Sequence, residues 1–270
     1  MAKIVTISGK GGVGKTTTTA LLLDEMARTG YAGRLLVVDG DPAMTLYEAL
    51  GQTPPPATVA DIRDNTRLDA RTIQALPEGI SPAGYVAGQL LEAGVLNKQT
   101  LQGMAFDMLA MGWHEGSPGC FCSINHMLGL ILQQLMEHYD LVIVDNEAGL
   151  EHLARYRVKH VDLFLVVYAS SLASRIVAGR IQAVAEKVGM TAIDTLGIYI
   201  ATGNGPRQQD KMTAELPSDF LAVPFDPDLA GLTAGKPVIK ADIHSPVRAA
   251  LGSLVTRVLN LSLAAVKADD

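Results

Sequence analysis

The residues from Gly9 to Thr17 combine a glycine-rich turn with lysine and threonine side chains. They fit the pattern Gly-x4-Gly-Lys-[Ser/Thr], in which backbone N–H groups of the turn converge on phosphate oxygens. In this pattern Lys15 contacts the β- and γ-phosphates of a nucleotide, and the Thr16 hydroxyl ligates Mg²⁺. An apolar run at 4–7 precedes the turn and a helical pattern at 17–27 follows it, which is the strand–loop–helix context that phosphate binding requires. The sequence therefore predicts a nucleotide site here, formed by Gly9, Lys10, Gly11, Gly12, Val13, Gly14, Lys15, Thr16 and Thr17.

Three aspartates stand at the ends of two other apolar runs. Asp39 and Asp41 follow the run at 35–38, and Asp145 follows the run at 141–144. Continuous apolar runs suit parallel strands buried on both faces, so these carboxylates are expected at the sheet edge where α/β proteins bind ligands. Asp145 is predicted to hold Mg²⁺ through a water, since this cation prefers oxygen ligands and keeps several waters. The alternative for Asp39 and Asp41 is a role in turns and caps, where Asp-Gly and Asp-Pro are common.

Cys120 and Cys122 are the only cysteines of the chain. Two thiolates one residue apart can hold a soft or borderline metal ion, and a closed tetrahedral site needs four ligands. One chain cannot supply four thiolates, whereas a two-fold dimer could place both pairs on its axis. Two alternatives remain: His114 and His126 could complete a site within one chain, or the cysteines could be small buried hydrophobic residues.

The other apolar runs predict the elements that position these residues. Strands and helices alternate, which predicts an α/β fold with a doubly wound, mainly parallel sheet flanked by helices, in a single domain over residues 1–270. Residues 52–105 show no clear period and are expected to be a family-specific insert over the nucleotide face, with an exposed helical segment at 59–75. Further strands are predicted at 106–111, 161–167, 195–201 and 220–226, and further helices at 44–50, 127–138, 171–188 and 245–266.

Composition limits the partners of the chain. Its net charge is −6 and it has no basic cluster, which disfavours non-specific nucleic-acid binding, because that binding rests on neutralising phosphates. No stretch is apolar and long enough to predict a transmembrane helix, and the first strand begins at Lys3, so neither a signal peptide nor a membrane partner is expected. A cytoplasmic protein is therefore expected.

The lysine at position 10 is not required by the general phosphate-loop pattern. With it, the sequence resembles the deviant phosphate-loop ATPases, the group of nitrogenase iron protein and of the septum-site and partition ATPases. The resemblance implies that Lys10 crosses a dimer interface to the partner's nucleotide, so that ATP closes a homodimer. It also implies that Asp41 orients the attacking water, that Asp39 lies near Mg²⁺, and that Gly149 donates a backbone N–H to the γ-phosphate. The catalytic residues expected from it are Lys10, Lys15 and Asp41.

Two further segments narrow the resemblance. Gly-Cys-Phe-Cys-Ser-Ile-Asn-His at 119–126 and Asp-Asn-Glu-Ala-Gly-Leu-Glu-His-Leu-Ala-Arg at 145–155 are similar to the nickel-inserting accessory ATPases of carbon monoxide dehydrogenase, the CooC type. This resemblance implies an ATP-hydrolysing metallochaperone whose homodimer holds Ni²⁺ or Zn²⁺ at Cys120 and Cys122. Its partner would be apo carbon monoxide dehydrogenase, which receives the nickel.

The same resemblance implies that two late loops contact the adenine base. Thr202 stands where the family often has an asparagine, and Pro224 and Asp226 match its second base-contacting loop.

Two rival functions belong to the same group of ATPases. One is a reductase with a [4Fe–4S] cluster on the dimer axis, although such families space their two cysteines tens of residues apart. The other is a positioning ATPase that acts on membrane or DNA, which usually carries a basic amphipathic tail.

Overall fold

The computed structural model describes residues 2–62, 68, 70–113, 122–147, 160–201, 219–230 and 236–266. The strands are β1 Lys3–Gly9, β2 Leu35–Gly40, β3 Leu96–Leu101, β4 Met104–Ala110, β5 Leu141–Asn146, β6 His160–Ala169, β7 Thr191–Ile200 and β8 Phe220–Val223. The helices are α1 Lys15–Arg28, α2 Thr45–Ala49, α3 Val59–Ile62, α4 Ala70–Gln74, α5 Pro82–Glu92, α6 Cys122–Leu135, α7 Leu172–Lys187, α8 Pro227–Ala230 and α9 Ser245–Val266. Among these described helices none is long and apolar enough to cross a membrane.

All eight strands form one sheet in the order β3-β4-β2-β5-β1-β6-β7-β8. Neighbouring strands run parallel except at one edge, where β3 pairs antiparallel with β4. The predicted α/β fold with a mainly parallel sheet is confirmed. Parallel pairing brings the carboxyl ends of β1, β2 and β5 to the same edge, and Asp145 has Asp39 as its register partner on one side and Ile7 on the other.

Helices cover both faces of the sheet, which explains why its central strands are mostly apolar up to their carboxyl ends. On one face Leu141 and Ile143 of β5 belong to a buried cluster with residues of α1 and α9. On the other face Val142 and Val144 belong to a cluster with the buried side of α6. Burying each such aliphatic side chain stabilises the fold by about 1.5–3 kcal/mol. Alternate side chains of β5 therefore lie in two different layers of the core, one on each face of the sheet.

The predicted insert contains elements that its sequence pattern did not indicate. Helix α5 begins after Ser81, whose side-chain oxygen accepts a hydrogen bond from the N–H of Gly84. Strand β3 alternates buried and exposed residues because it lies at the sheet edge. The expectation of an exposed helical segment at 59–75 is wrong at its start, since α3 is buried and packs against α6. These described residues extend the sheet and its α6-side core.

Candidate functional site

The phosphate loop connects β1 to α1 at the carboxyl edge of the sheet. Gly12 and Gly14 have φ angles of 73° and 97°, in the left-handed region that favours glycine. Gly14 is the N-cap of α1 and provides no side-chain cap. The N–H groups of the first helical turn therefore have no capping side chain, and with the helix dipole they form a cradle for phosphate oxygens.

Gly9 closes β1 against the neighbouring strand β6. Its register partner is Val167, and a Cβ atom on Gly9 would overlap the carbonyl oxygen of Val167. We expect Gly9→Ala to push the two strands apart and to lower the free energy of unfolding by about 1–3 kcal/mol. The matched control is Gly88→Ala in α5, where an added Cβ meets nothing within 4 Å, and helix propensity predicts a gain of up to about 1 kcal/mol. Denaturant unfolding measures both, and equal stability of the two variants would contradict this packing.

Lys15 is a buried cation among carboxylates. Its side chain is 7% exposed, and its Nζ lies 3.5 Å from the carbonyl oxygen of Lys10. Burial lowers the pKa of Lys15, while the negative charges of Asp145, Asp41 and Glu147 act in the opposite direction. The side chain of Lys10, in contrast, is exposed on the loop. The two lysines of the loop therefore differ in environment: one belongs to the site and the other faces outward.

Asp39 and Asp145 form a pair of buried carboxyl groups beside Lys15. They are 0% and 1% exposed and lie on neighbouring strands as register partners. Burial, followed by the charge of Asp145, raises the pKa of Asp39 to about 8. Burial raises the pKa of Asp145 to about 6, although Thr16, Lys15 and Thr19 act to lower it. Among the described residues, neither oxygen of Asp145 has a hydrogen-bond partner. Unpaired carboxylate oxygens next to the Thr16 hydroxyl fit the ligand chemistry of Mg²⁺.

The carboxyl group of Asp39 also organises the loop that follows β2. It accepts hydrogen bonds from the N–H of Asp41 at 3.2 Å and from the N–H of Leu46 at 3.0 Å. Asp41 in turn accepts a hydrogen bond from the N–H of Ala43 at 2.9 Å. Both aspartates therefore form the turn contacts of the alternative interpretation, and both also lie beside the phosphate loop. Asp39 holds Asp41 in position through the backbone.

These raised pKa values predict a pH dependence. Without a cation, the folded protein keeps protons on Asp39 and Asp145 that the unfolded chain releases, so their contribution to stability falls as the pH rises from about 4 to about 8. Mg²⁺ binds deprotonated carboxylates, so its binding releases those protons. We expect Mg²⁺ with ADP to raise the Tm more at a pH of about 9 than at about 6. Asp39→Asn should flatten this dependence in thermal unfolding, whereas an equal gain at both pH values in the wild type would contradict it.

A cavity of about 370 Å³ adjoins the phosphate loop. Apolar groups dominate its walls, including Leu21 of α1, Ile200 of β7 and Leu251 of α9, and Pro224 and Asp226 line its far side. A flat aromatic base fits such a cavity better than a charged group does. Its position next to Gly12–Thr18 makes it the candidate base pocket of the predicted nucleotide site.

Asp226 contributes to this cavity by shaping it. Its carboxylate accepts hydrogen bonds from the N–H groups of Asp228, Leu229 and His244, at 2.9, 3.1 and 2.9 Å, and lies 3.2 Å from the His244 ring. Burial opposes ionisation, but the three N–H donors and His244 lower the pKa of Asp226 below its usual range. The expected base contact of this side chain therefore has to compete with bonds that fix α8 and the start of α9.

Residues 4–238 match the model of the CobQ/CobB/MinD/ParA nucleotide-binding domain. The chain belongs to this family. An uncharacterized ATP-binding protein of Methanocaldococcus jannaschii is 37% identical over 68% of this chain and 69% of its own length. The carbon monoxide dehydrogenase accessory protein CooC of Rhodospirillum rubrum is 26% identical over 70% of this chain and 71% of its own. The MinD cell division ATPase of Pyrococcus furiosus has the same fold, with a TM-score of 0.64 and 22% identity over 97% of this chain and all of that chain. The predicted ATPase class is confirmed.

For this MinD/ParA-type ATPase, the structure brings together most of the predicted site residues. Lys15, Thr16, Asp39, Asp41 and Asp145 meet at one edge of the sheet. Gly149, Thr202 and Cys120 lie outside the described residues, as does His114. Cys122 is the first residue of α6, but its side chain is also outside the described part. The metal-ligand predictions therefore stay predictions.

Asn146 is the site residue that the sequence interpretation missed. It is 1% exposed and donates hydrogen bonds from its side chain to three successive residues of β1. Its position in the sequence could have revealed it, because Asn146 directly follows Asp145 at the end of a buried strand. A polar side chain at a buried position needs hydrogen-bond partners.

Proposed function

We propose that this protein is an ATP-hydrolysing metallochaperone that binds Ni²⁺ or Zn²⁺ through Cys120 and Cys122 at a homodimer interface. Its task is to assist nickel insertion into carbon monoxide dehydrogenase. The observation that supports the proposal is the short chain connection between Cys122, at the start of α6, and the nucleotide site. Helix α6 starts at Cys122, is followed by the single 3₁₀ turn Met136–His138, and leads into β5, which presents Asp145 to the phosphate loop.

Helix α6 and strand β5 contribute side chains to the same buried cluster. Leu128, Ile131 and Leu132 of α6 are each at most 2% exposed and share a core cluster with Val142 and Val144 of β5. Close-packed interiors transmit displacement because they contain few voids to absorb it. A shift at the carboxyl end of β5 therefore moves α6, and with it the backbone that carries Cys122.

In the proposed cycle the phosphate loop binds ATP, with Lys15 on its phosphates and Thr16 and Asp145 as the residues that hold Mg²⁺. Mg²⁺ held by these two residues would neutralise phosphate charge during transfer. Asp41, fixed by Asp39, orients the attacking water. The exposed Lys10 reaches the nucleotide of the partner subunit, so ATP closes the dimer and hydrolysis reopens it.

The similarity to the carbon monoxide dehydrogenase accessory protein CooC supports the proposed client enzyme, and the thiolate chemistry of the Cys-x-Cys pair supports the proposed cargo. Thiolates bind borderline divalent metals, and a two-fold axis supplies the four ligands of a closed site. A protein that only positions itself on membrane or DNA would not need this pair. Iron in an anaerobic preparation would instead support the reductase alternative.

Nickel release under turnover tests the proposal. The protein is loaded anaerobically with Ni²⁺, and transfer to a chromogenic chelator is followed after addition of Mg²⁺ with ATP, ADP or a non-hydrolysable analogue. Of the three nucleotides, we expect only ATP to accelerate nickel transfer to the chelator. The variant Cys120→Ala/Cys122→Ala should bind no nickel. His126→Ala is the matched control, because His126 is an exposed residue on α6 close to the pair. Transfer at the same rate with all three nucleotides, or nickel lost in the His126 variant alone, would contradict the proposal.

A further inference from the structure

Asn146 ends β5 immediately after Asp145, yet its side chain lies on the other face of the sheet. Successive side chains of a strand point to opposite faces. Asp145 faces α1, where Lys15 and Thr16 influence its pKa. Asn146 lies on the same face as Val142 and Val144, which belong to the buried cluster that contains α6. The end of β5 is therefore the point where the nucleotide side and the α6 side of the protein meet.

The carboxamide of Asn146 joins this strand end to β1. Its Nδ2 donates to Thr6 Oγ1 at 2.6 Å, to the carbonyl oxygen of Ile7 at 2.8 Å and to Ser8 Oγ at 3.3 Å. The carbonyl oxygen can only accept, so it fixes which end of the amide faces β1. The acceptors are the three residues that directly precede Gly9. Beyond the parallel pairing of β1 with β5, this side chain therefore adds a second link between the end of β1 and the end of β5.

The other end of the carboxamide shows that this arrangement is not optimised for stability alone. Asn146 Oδ1 is buried and has no hydrogen-bond partner among the residues that the structure describes. Leaving a buried acceptor unpaired destabilises the folded protein, and an apolar residue of similar shape would avoid that cost. All four residues of β5 before Asp145 are apolar. A polar residue kept at this cost calls for an explanation in function.

We propose that Asn146 is a positioning residue that couples the phosphate loop to the end of β5, and through β5 to α6. It does not touch the nucleotide. It keeps Asp145 in register with the loop on one face of the sheet, and it fixes the end of β5 on the face that α6 covers. The inference depends on the ATPase of this family and not on the identity of the cargo.

The test compares Asn146→Leu with Asn97→Leu in ATPase assays that contain Mg²⁺ but no Ni²⁺ or Zn²⁺. Asn97 is the matched control, since its Nδ2 also donates to three acceptors, namely the Tyr47 hydroxyl and the carbonyl oxygens of Val95 and Met108, but at the sheet edge. We expect Asn146→Leu to lower kcat by about 10–100-fold, because small misplacements at a reacting centre have effects of this size. The KM for ATP and the Kd for ADP should stay unchanged. Asn97→Leu should alter Tm without changing kcat.

Thr6→Val provides a second variant if the first is unstable. It removes one acceptor of the Asn146 amide and keeps the shape of the side chain, so it should lower kcat less than Asn146→Leu and leave the KM unchanged. Two results would overturn the proposal. One is a wild-type kcat in both Asn146→Leu and Thr6→Val. The other is a parallel loss of kcat, ADP affinity and Tm in Asn146→Leu, which would show a merely structural role.

Discussion

Replacing Lys15 with methionine is expected to lower kcat/KM for ATP by about 10³-fold or more, because phosphoryl transfer relies on positioned positive charge at the phosphates. Lys15 is the buried cation of the site and lies among Asp41, Asp145 and Glu147. Without its charge, these carboxylates face the phosphates of ATP with only Mg²⁺ to balance them. Methionine keeps much of the side-chain volume, so the change removes charge more than packing. Steady-state hydrolysis and the Kd for ATP measure the loss.

A second lysine on the same strand–loop–helix unit gives the control. Lys3 lies at the opposite end of β1 and pairs with Asp162 at 3.0 Å. Lys3→Met removes a cation of the same kind, so its kcat/KM should stay at the wild-type value while its stability falls by about 1 kcal/mol or less. ATP hydrolysis that survives in Lys15→Met would mean that the phosphates lie elsewhere, and the assignment of the site would be wrong.

Asp41→Asn is expected to stop hydrolysis while nucleotide binding persists. Asparagine can keep the turn contact in which Asp41 accepts a hydrogen bond from the N–H of Ala43. It loses the negative charge that, in the proposed cycle, orients the attacking water, a contribution expected to be about 10²–10⁴-fold in rate. The variant should therefore remain in the ATP-bound form, with a higher dimer fraction than the wild type under ATP. Rapid-quench hydrolysis and size-exclusion chromatography with ATP give the two readouts.

The matched control for this variant is Asp140→Asn, at the amino end of β5. Asp140 is exposed and pairs with Arg34 at 2.7 Å, far along the strands from the phosphate loop. Its loss should leave hydrolysis and dimerisation at wild-type values. Asp41→Asn with wild-type turnover would remove Asp41 from the mechanism. Asp41→Asn with weak ATP binding would assign it to binding instead.

Features of the chain that obey a local rule could be predicted from its sequence. The phosphate loop follows a fixed spacing, and the buried strands β2 and β5 each begin with four apolar residues because helices cover both faces of the sheet. These runs located Asp39 and Asp145 correctly at the sheet edge. Strand β3 escaped prediction because an edge strand with polar residues on one side resembles a loop in sequence.

The roles of individual side chains depended on contacts between residues far apart in sequence. Asn146 meets Thr6 through a pairing of strands that are about half a chain apart, and no local pattern encodes that contact. Asp226 matched a base-contacting position, but its carboxylate is engaged by His244 at the start of α9. Spacing alone predicts the residue type that a site needs, whereas tertiary packing decides what each carboxylate or amide is bonded to.

The most direct test of the account measures metal stoichiometry and oligomeric state together. The protein is purified anaerobically, Ni²⁺ or Zn²⁺ is added with and without Mg²⁺ and ATP, and native mass spectrometry records the mass and the bound metal. Cys120→Ala/Cys122→Ala is the control. The account predicts a dimer with a single metal ion shared by both cysteine pairs, absent in the double variant. Metal bound to a monomer, or metal that persists after both cysteines are removed, would contradict the shared thiolate site and leave an ATPase of this family with a different task.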